Sequence, residues 1–287
     1  MTRRTRVGVK RLAQGAAGVV VVALLFLPSP APAQGPRPDA EGTATPKPIR
    51  RTATGVPDLE GFYQHGAGGS NYGLEQREAS FLTPANRGIV VDPPDGKLPF
   101  QEWARAETAS RAQPERGYDD PTAHCFPAGV PRSLYVPSPF EIVQTPEYVL
   151  MMFERMSWRI IPLDGRTHLP DHIRLWQGDS VGHWEGDTLV VESKNFNGKT
   201  WLNQAGEVVT HALHVVERIT PVNADRLDYR ATITDPLAYS QPFTIAFPLT
   251  RQDGEMLEVA CLEDDQDLKH LKDIKDEAIK SGKLKAN

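Results

Sequence analysis

The chain carries only two cysteines, Cys125 and Cys261, in 287 residues. That excludes a disulfide-framework miniprotein and a four-thiolate zinc module. Positive charge is not in excess either: 32 basic side chains face 37 acidic ones, a net of −5. A nucleic-acid binder held by phosphate contacts is therefore excluded. The familiar mechanistic motifs are missing: no P-loop, no GxGxxG after a strand, no HExxH, no GxSxG and no EF-hand loop. Nothing in the sequence implies a cofactor. What is present suits a packed domain, since 39% of the residues are hydrophobic, and 23 glycines with 25 prolines favour many turns.

The beginning of the chain reads as an export signal. Arg3, Arg4, Arg6, Lys10 and Arg11 form a basic start, followed by a twelve-residue apolar run from Ala16 to Leu27. That run is too short to span a bilayer comfortably. Ala31-Pro32-Ala33 supplies a small-x-small cleavage site before Gln34. An uncleaved membrane anchor is the competing reading, and Arg3-Arg4 leaves the general and the twin-arginine export routes both open. Cleavage would leave 27 basic against 37 acidic side chains, a net of −10. A periplasmic or secreted protein with no stable membrane insertion and no general attraction to anionic lipid or nucleic acid is expected. Residues 34–56, with Pro36, Pro38, Pro46 and Pro48, read as a flexible leader, and 57–287 as a single β-rich domain. In an exported chain Cys125 and Cys261 are expected to pair, closing a 137-residue loop worth roughly 5 kcal/mol in the chain-entropy model. Two free buried thiols are the alternative.

From about 57 to 135 the punctuation by proline predicts irregular structure with one helix, Pro99 to Ala112. After Ser138 short β-branched and aromatic runs alternate with turns. Strands are expected over Phe140–Thr145, Tyr148–Met156 and Trp158–Leu163, with Asp164-Gly165 as a hairpin turn. Further hairpins are expected around Glu185-Gly186-Asp187, around Val222–Asp225, and at Asp253-Gly254 with a last strand over Met256–Leu262. Such an antiparallel meander predicts a curled sheet or barrel, which removes exposed edges. From about Asp264 an amphipathic helix, with Leu268, Leu271, Ile274 and Ala278 on one stripe, should cap the barrel or cover an edge.

The most distinctive stretch is Gly178-Asp179-Ser180-Val181-Gly182-His183-Trp184-Glu185-Gly186-Asp187-Thr188-Leu189-Val190-Val191-Glu192, followed by Asn195-Phe196-Asn197 and Trp201-Leu202. With Asp120-Pro121, the segment Pro139 to Pro146, and His211 followed by Glu217-Arg218, it resembles a family of exported bacterial β-proteins that mostly carry no assigned function. The likeness runs from about Pro57 to Glu263 and brings no catalytic residue with it. Leu59-Glu60-Gly61-Phe62-Tyr63 also resembles the glycine-x-aromatic opening of lipocalin-type barrels, with Tyr63 in place of the usual tryptophan.

Polar residues within strand-like segments are the candidates for function. His211 and Glu217 fall on the same face of an extended strand as Leu213 and Val215, with His214 and Arg218 opposite. A histidine in an apolar interior suits acid–base work, with Glu217, Asp179 or Glu192 in support. His172, Asp179 and His183 form an irregular set that leaves a metal site open, although no metal is expected. Glu192, Asn195, Asn197 and Trp201, with Tyr239, could line a barrel mouth and bind a small molecule, joined by Trp176 and His183. Arg155, Arg159 and Arg174 lie near the aromatics Phe153, Trp158 and Trp176 and could recognise a carboxylate. Two functions are therefore expected: an exported small-molecule-binding barrel, or a cofactor-independent acid–base enzyme (hydrolase, lyase or isomerase) acting in the barrel cavity.

Overall fold

A computed structural model describes residues 47–80, 83–155, 157–263 and 265–285. The expected signal peptide and the leader up to residue 46 lie outside them. From Lys47 onward the chain already makes defined contacts: Asp58 N–H donates to the Arg50 carbonyl, and the Arg51 guanidinium grips both oxygens of Asp187 at 2.8 and 2.7 Å.

The protein is mainly β, a ten-stranded antiparallel sheet curled into a nearly closed barrel. Its strands are β1 (Gly61–His65), β2 (Val90–Asp92), β3 (Phe140–Gln144), β4 (Tyr148–Phe153) and β5 (Ser157–Pro162). They continue with β6 (Asp179–Glu185), β7 (Thr188–Lys194), β8 (His214–Asn223), β9 (Arg226–Thr234) and β10 (Phe243–Gln252). The order across the sheet is β5-β4-β3-β1-β10-β9-β8-β7-β6, with β2 paired to the start of β10. Among the described residues two α-helices flank it, α1 (Glu102–Arg111) and α2 (Gln266–Lys280). The Asp265 carboxylate caps α2 by accepting from the amides of Asp267 and Leu268.

Alternation with period two sends one face of every strand inward. Tyr63, Phe140, Ile142, Met151, Ile161, Leu189, Val191, Val215, Ile219, Tyr229, Ile233, Phe243, Ile245 and Leu249 are all essentially inaccessible and form one core. The barrel interior is thus a packed core built from large side chains.

Two expected hairpins are absent, for different reasons. Asp164-Gly165 turns the chain into a loop that runs to β6 instead of back onto β5. Residues 253–263 form no strand, although Met256–Leu262 looks like one. The reason is topological. The edge of β10 that a following strand would need is already taken by β1, with Phe62 opposite Gln252 and His65 opposite Leu249. β1 comes from the proline-rich first third, so the pairing partner is almost 190 residues away in sequence.

The two end strands, β5 and β6, lie side by side, yet no backbone hydrogen bond joins them among the described residues. Side chains close this seam. Arg159 on β5 points inward and donates from Nε to Ser180 Oγ on β6 (3.0 Å), from Nη2 to Ser193 Oγ on β7 (3.3 Å), and from Nη1 to Glu217 Oε1 on β8 (3.0 Å). Its Nη2 also pairs with Glu217 Oε2, and the Tyr229 hydroxyl donates to Glu217 Oε1 at 2.9 Å. Ser180 and Ser193 bond to each other at 2.9 Å. One guanidinium therefore spans four strands from the inside.

Gly182 on β6 lets the seam close. A Cβ there would lie 2.7 Å from Ile161 Cγ2 and 2.9 Å from Leu163 Cδ2, so β5 can approach only where β6 has no side chain. Gly182→Val should lower stability by about 2 kcal/mol in urea unfolding through overpacking. Val181→Ala, one position along and facing outward, should change it by less than about 1 kcal/mol. Equal effects would mean that the seam is not tightly packed.

Candidate functional site

A groove of about 820 Å³ lies at the end of the barrel where β3 and β5 begin and β4 ends. Its floor comes from the barrel, with Val136, Ser138, Phe153 and Arg155. One side is the 114–133 segment, including Asp120, Thr122, Phe126 and Arg132, and the other is the C-terminal segment, with Leu268, Leu271 and Ile274 of α2. Cys125 and Cys261 form a disulfide with their Cα atoms 5.9 Å apart, and both line the groove. The expected pairing is thus present, although Cys261 lies in the strandless stretch after β10 rather than in a strand.

The 114–133 side is fixed by a buried ion pair. The Asp120 carboxylate accepts from Arg132 Nη1 and Nη2 at 2.9 and 2.7 Å, and the same carboxylate caps the short turn at 121–124 through the Thr122 amide and hydroxyl. Arg132 has no charge left over for a ligand. Arg155 does: its side chain meets only Ser138 Oγ, at 3.4 Å, and no carboxylate lies within ion-pair distance among the described residues.

Behind the groove wall lies a buried acid. Glu207 accepts from the Leu74 amide (3.0 Å) and from Asn203 Nδ2 (2.8 Å), next to Gln204, which faces the groove. Burial pushes its carboxyl up to about 7, and the two donors oppose that only in part. Tyr135 and Tyr239, buried alongside, are held well above the usual phenol range by the same desolvation, with the Glu207 charge adding to it.

The residues expected to act together are dispersed. His211 sits exposed in a turn before β8, its carbonyl accepting from Arg174 Nη1 at 3.2 Å, while Glu217 is wholly buried and bound by Arg159 and Tyr229. The strand register of Val215, Glu217 and Ile219 is as the alternation implies, but the chain leaves extended geometry before His211. No acid–base pair forms between them. Asp179 instead accepts from His168 Nδ1 (2.8 Å) and from the Leu169 amide (2.9 Å), which ties down the β5–β6 connection. Glu192 faces outward, bonded to His214 Nε2 at 2.8 Å. His183 is also outward, 3.2 Å from Glu185, and His172 is exposed in the connecting loop. Among the described residues no three histidines, cysteines or carboxylates are placed to hold a metal.

The expected ligand-binding residues are likewise absorbed by the fold. Asn195 is buried with φ 60° and donates to the carbonyls of Leu169 and Pro170. Asn197 caps its own turn by accepting from the Lys199 amide. Trp201 is buried beneath Arg111, and the Tyr239 hydroxyl donates to the Val208 carbonyl. Trp176 is the exception with a link to the groove, since it stacks on Phe126 with ring centroids 4.5 Å apart. None of the residues expected to be catalytic or ligand-binding in the barrel, His211, Glu217, Asp179, Trp176, His183, Glu192, Asn195, Asn197, Trp201 and Tyr239, lines the groove; the expected disulfide partners Cys125 and Cys261 do, as do Arg155 and Phe153, noticed as a cation beside an aromatic.

No protein-family model, no curated protein and no solved structure matches this chain.

The buried carboxyl makes a pH prediction. Glu207 binds its proton more tightly folded, at about 7, than its ordinary 4.5. Its contribution to stability is therefore complete below pH 4.5 and lost as pH rises through about 7, on the order of 3 kcal/mol in all. Urea midpoints measured from pH 4.5 to 8 should fall less steeply for Glu207→Gln than for the native chain. Parallel profiles would show that the group titrates normally.

Proposed function

We propose that this protein is an exported small-molecule-binding barrel whose ligand occupies the groove between the barrel end, the 114–133 segment and α2. The observation that carries this reading is the pairing of a volume of about 820 Å³ with one uncommitted cation. That volume falls in the range that takes a drug-sized ligand. Phe126, Phe153, Leu268 and Leu271 offer apolar surface, and Arg155 offers a partner for an acidic group on the ligand. The ligand is then a partly apolar molecule bearing a carboxylate or similar anion. The packed interior, with Tyr229 against Phe247 and Phe243 against Tyr239, favours a ligand held at the barrel end over one enclosed within it.

Export is part of the same proposal. It rests on the basic start, the apolar run and Ala31-Pro32-Ala33, on the likeness to exported β-proteins, and on a disulfide that persists in oxidising compartments. No helix among the described residues is long and apolar enough to cross a membrane. The acid–base alternative gains nothing from the exposed position of His211.

Titration with 1-anilinonaphthalene-8-sulfonate, an apolar anion, tests the reading. Saturable binding at one site is expected, weakened about tenfold by Arg155→Ala, which corresponds to about 1.4 kcal/mol. Native mass spectrometry of the purified protein should also reveal a bound small molecule. Non-saturable binding that ignores Arg155 would sink the groove as the site.

A further inference from the structure

The C-terminal wall of the groove is built unlike the rest of the molecule. After β10 the chain runs through residues 253–263 without strand or helix and then enters α2. Within α2 only Ala278 is buried, and Ile274 of its apolar stripe is still 44% exposed. The helix is not part of the core. Its contacts are with the 114–119 segment: Leu271 lies over Gly117, Lys275 Nζ reaches Asp119 Oδ1 at 2.5 Å, and Lys283 pairs with Glu115. Lys283 is largely exposed, so that pair holds the helix weakly. The covalent tie is Cys261 to Cys125.

Neither cysteine belongs to a strand, so cutting the bond breaks no ladder. Both sulfur-bearing residues border the open groove, where a soluble dithiol can reach them. Cys125 also holds a left-handed backbone, φ 63°, which an L residue adopts only when something fixes it. Beyond the disulfide, its amide is held by the carbonyls of Pro121 and Thr122, the latter at 3.3 Å.

We propose that the Cys125–Cys261 disulfide is a redox latch on the groove. Oxidised, it holds the strap made of residues 253–263 and α2 in place as the groove's outer wall; reduced, it releases the strap and the groove loses its apolar side. The chemistry is thiol–disulfide exchange with a dithiol. A thiolate of the dithiol attacks one sulfur, and the displaced cysteine leaves as a thiolate and takes a proton. The second thiol of the dithiol then closes on the mixed disulfide, freeing the other cysteine. Two electrons pass from the dithiol, which ends as a disulfide, to the protein, which ends with two thiols. That the latch governs binding rests on the groove being the ligand site.

Amide hydrogen exchange of the full chain, with and without dithiothreitol, reads the strap directly. The expected result is a rise of about tenfold or more in exchange across α2 and residues 114–125, with β6 to β10 unchanged. Titration with 1-anilinonaphthalene-8-sulfonate in both states should show affinity falling about tenfold on reduction. The Cys125→Ser/Cys261→Ser double variant, without reductant, should match the reduced native chain in both readings. Unchanged exchange in α2 would overturn the latch, and so would equal loss of protection in the barrel strands, which would make the bond a global staple. Release of α2 in a protein that binds the probe in neither state would leave the latch standing and remove the groove as the binding site. Release with binding unaltered would overturn the latch as a control on the ligand.

Discussion

The barrel depends on one buried ion pair, Arg159 with Glu217. Sheet hydrogen bonding holds nine strands in one continuous order but stops at the two ends, β5 and β6. An open seam would expose unpaired strand edges, which invite pairing with other chains. Arg159 closes it from within, because its rigid fork can bond to three strands at once while Tyr229 supports the acid from a fourth. Four of the five guanidinium N–H groups find acceptors in this way. Moving two charges out of water is costly, and a pair this deep is tolerated only because nearly every remaining polar valence is met. The same network raises the Tyr229 phenol well above its usual range, since both burial and the Glu217 charge oppose its ionisation.

Seen from the seam, the signature around residues 178–192 has a structural meaning. Gly178 turns with φ 70° where a side chain would strike Phe196. Asp179 fastens the incoming loop through His168, Ser180 receives Arg159, and Gly182 leaves room for Ile161. Gly186 makes the hairpin turn, and Asp187 anchors Arg51. Each distinctive residue secures an edge strand that lacks a neighbour. The backbone and packing at these positions are what the stretch provides to the seam.

The hairpins β6–β7 and β8–β9 and both helices were legible because turn chemistry and periodicity are local signals. β1 was not, because its place between β3 and β10 depends on partners far along the chain. The same distance misled the reading of Met256–Leu262, whose local pattern suits a strand but which finds no free edge. For the site, alternation put Glu217 on one face with Leu213 and Val215 but left open which face is interior, and Arg159 could be matched to it only in three dimensions. The groove draws its lining from separate stretches of the chain, around 71–72, 114–138, 153–157, 204 and 259–274, each unremarkable by itself. Seam and groove are therefore distinct in construction: the seam is buried, polar and closely hydrogen-bonded, while the groove is closed by an exposed helix on a disulfide.

The central claim is that Arg159 and Glu217 act as one unit closing the barrel. A double-mutant cycle with Arg159→Met, Glu217→Leu and the pair together, read by urea unfolding, measures this directly. Each single change strands a buried charge and should cost about 3–5 kcal/mol, whereas the double change should cost clearly less than their sum, with a coupling of about 2 kcal/mol or more. Single costs of under about 1 kcal/mol that simply add would contradict a seam held by this pair.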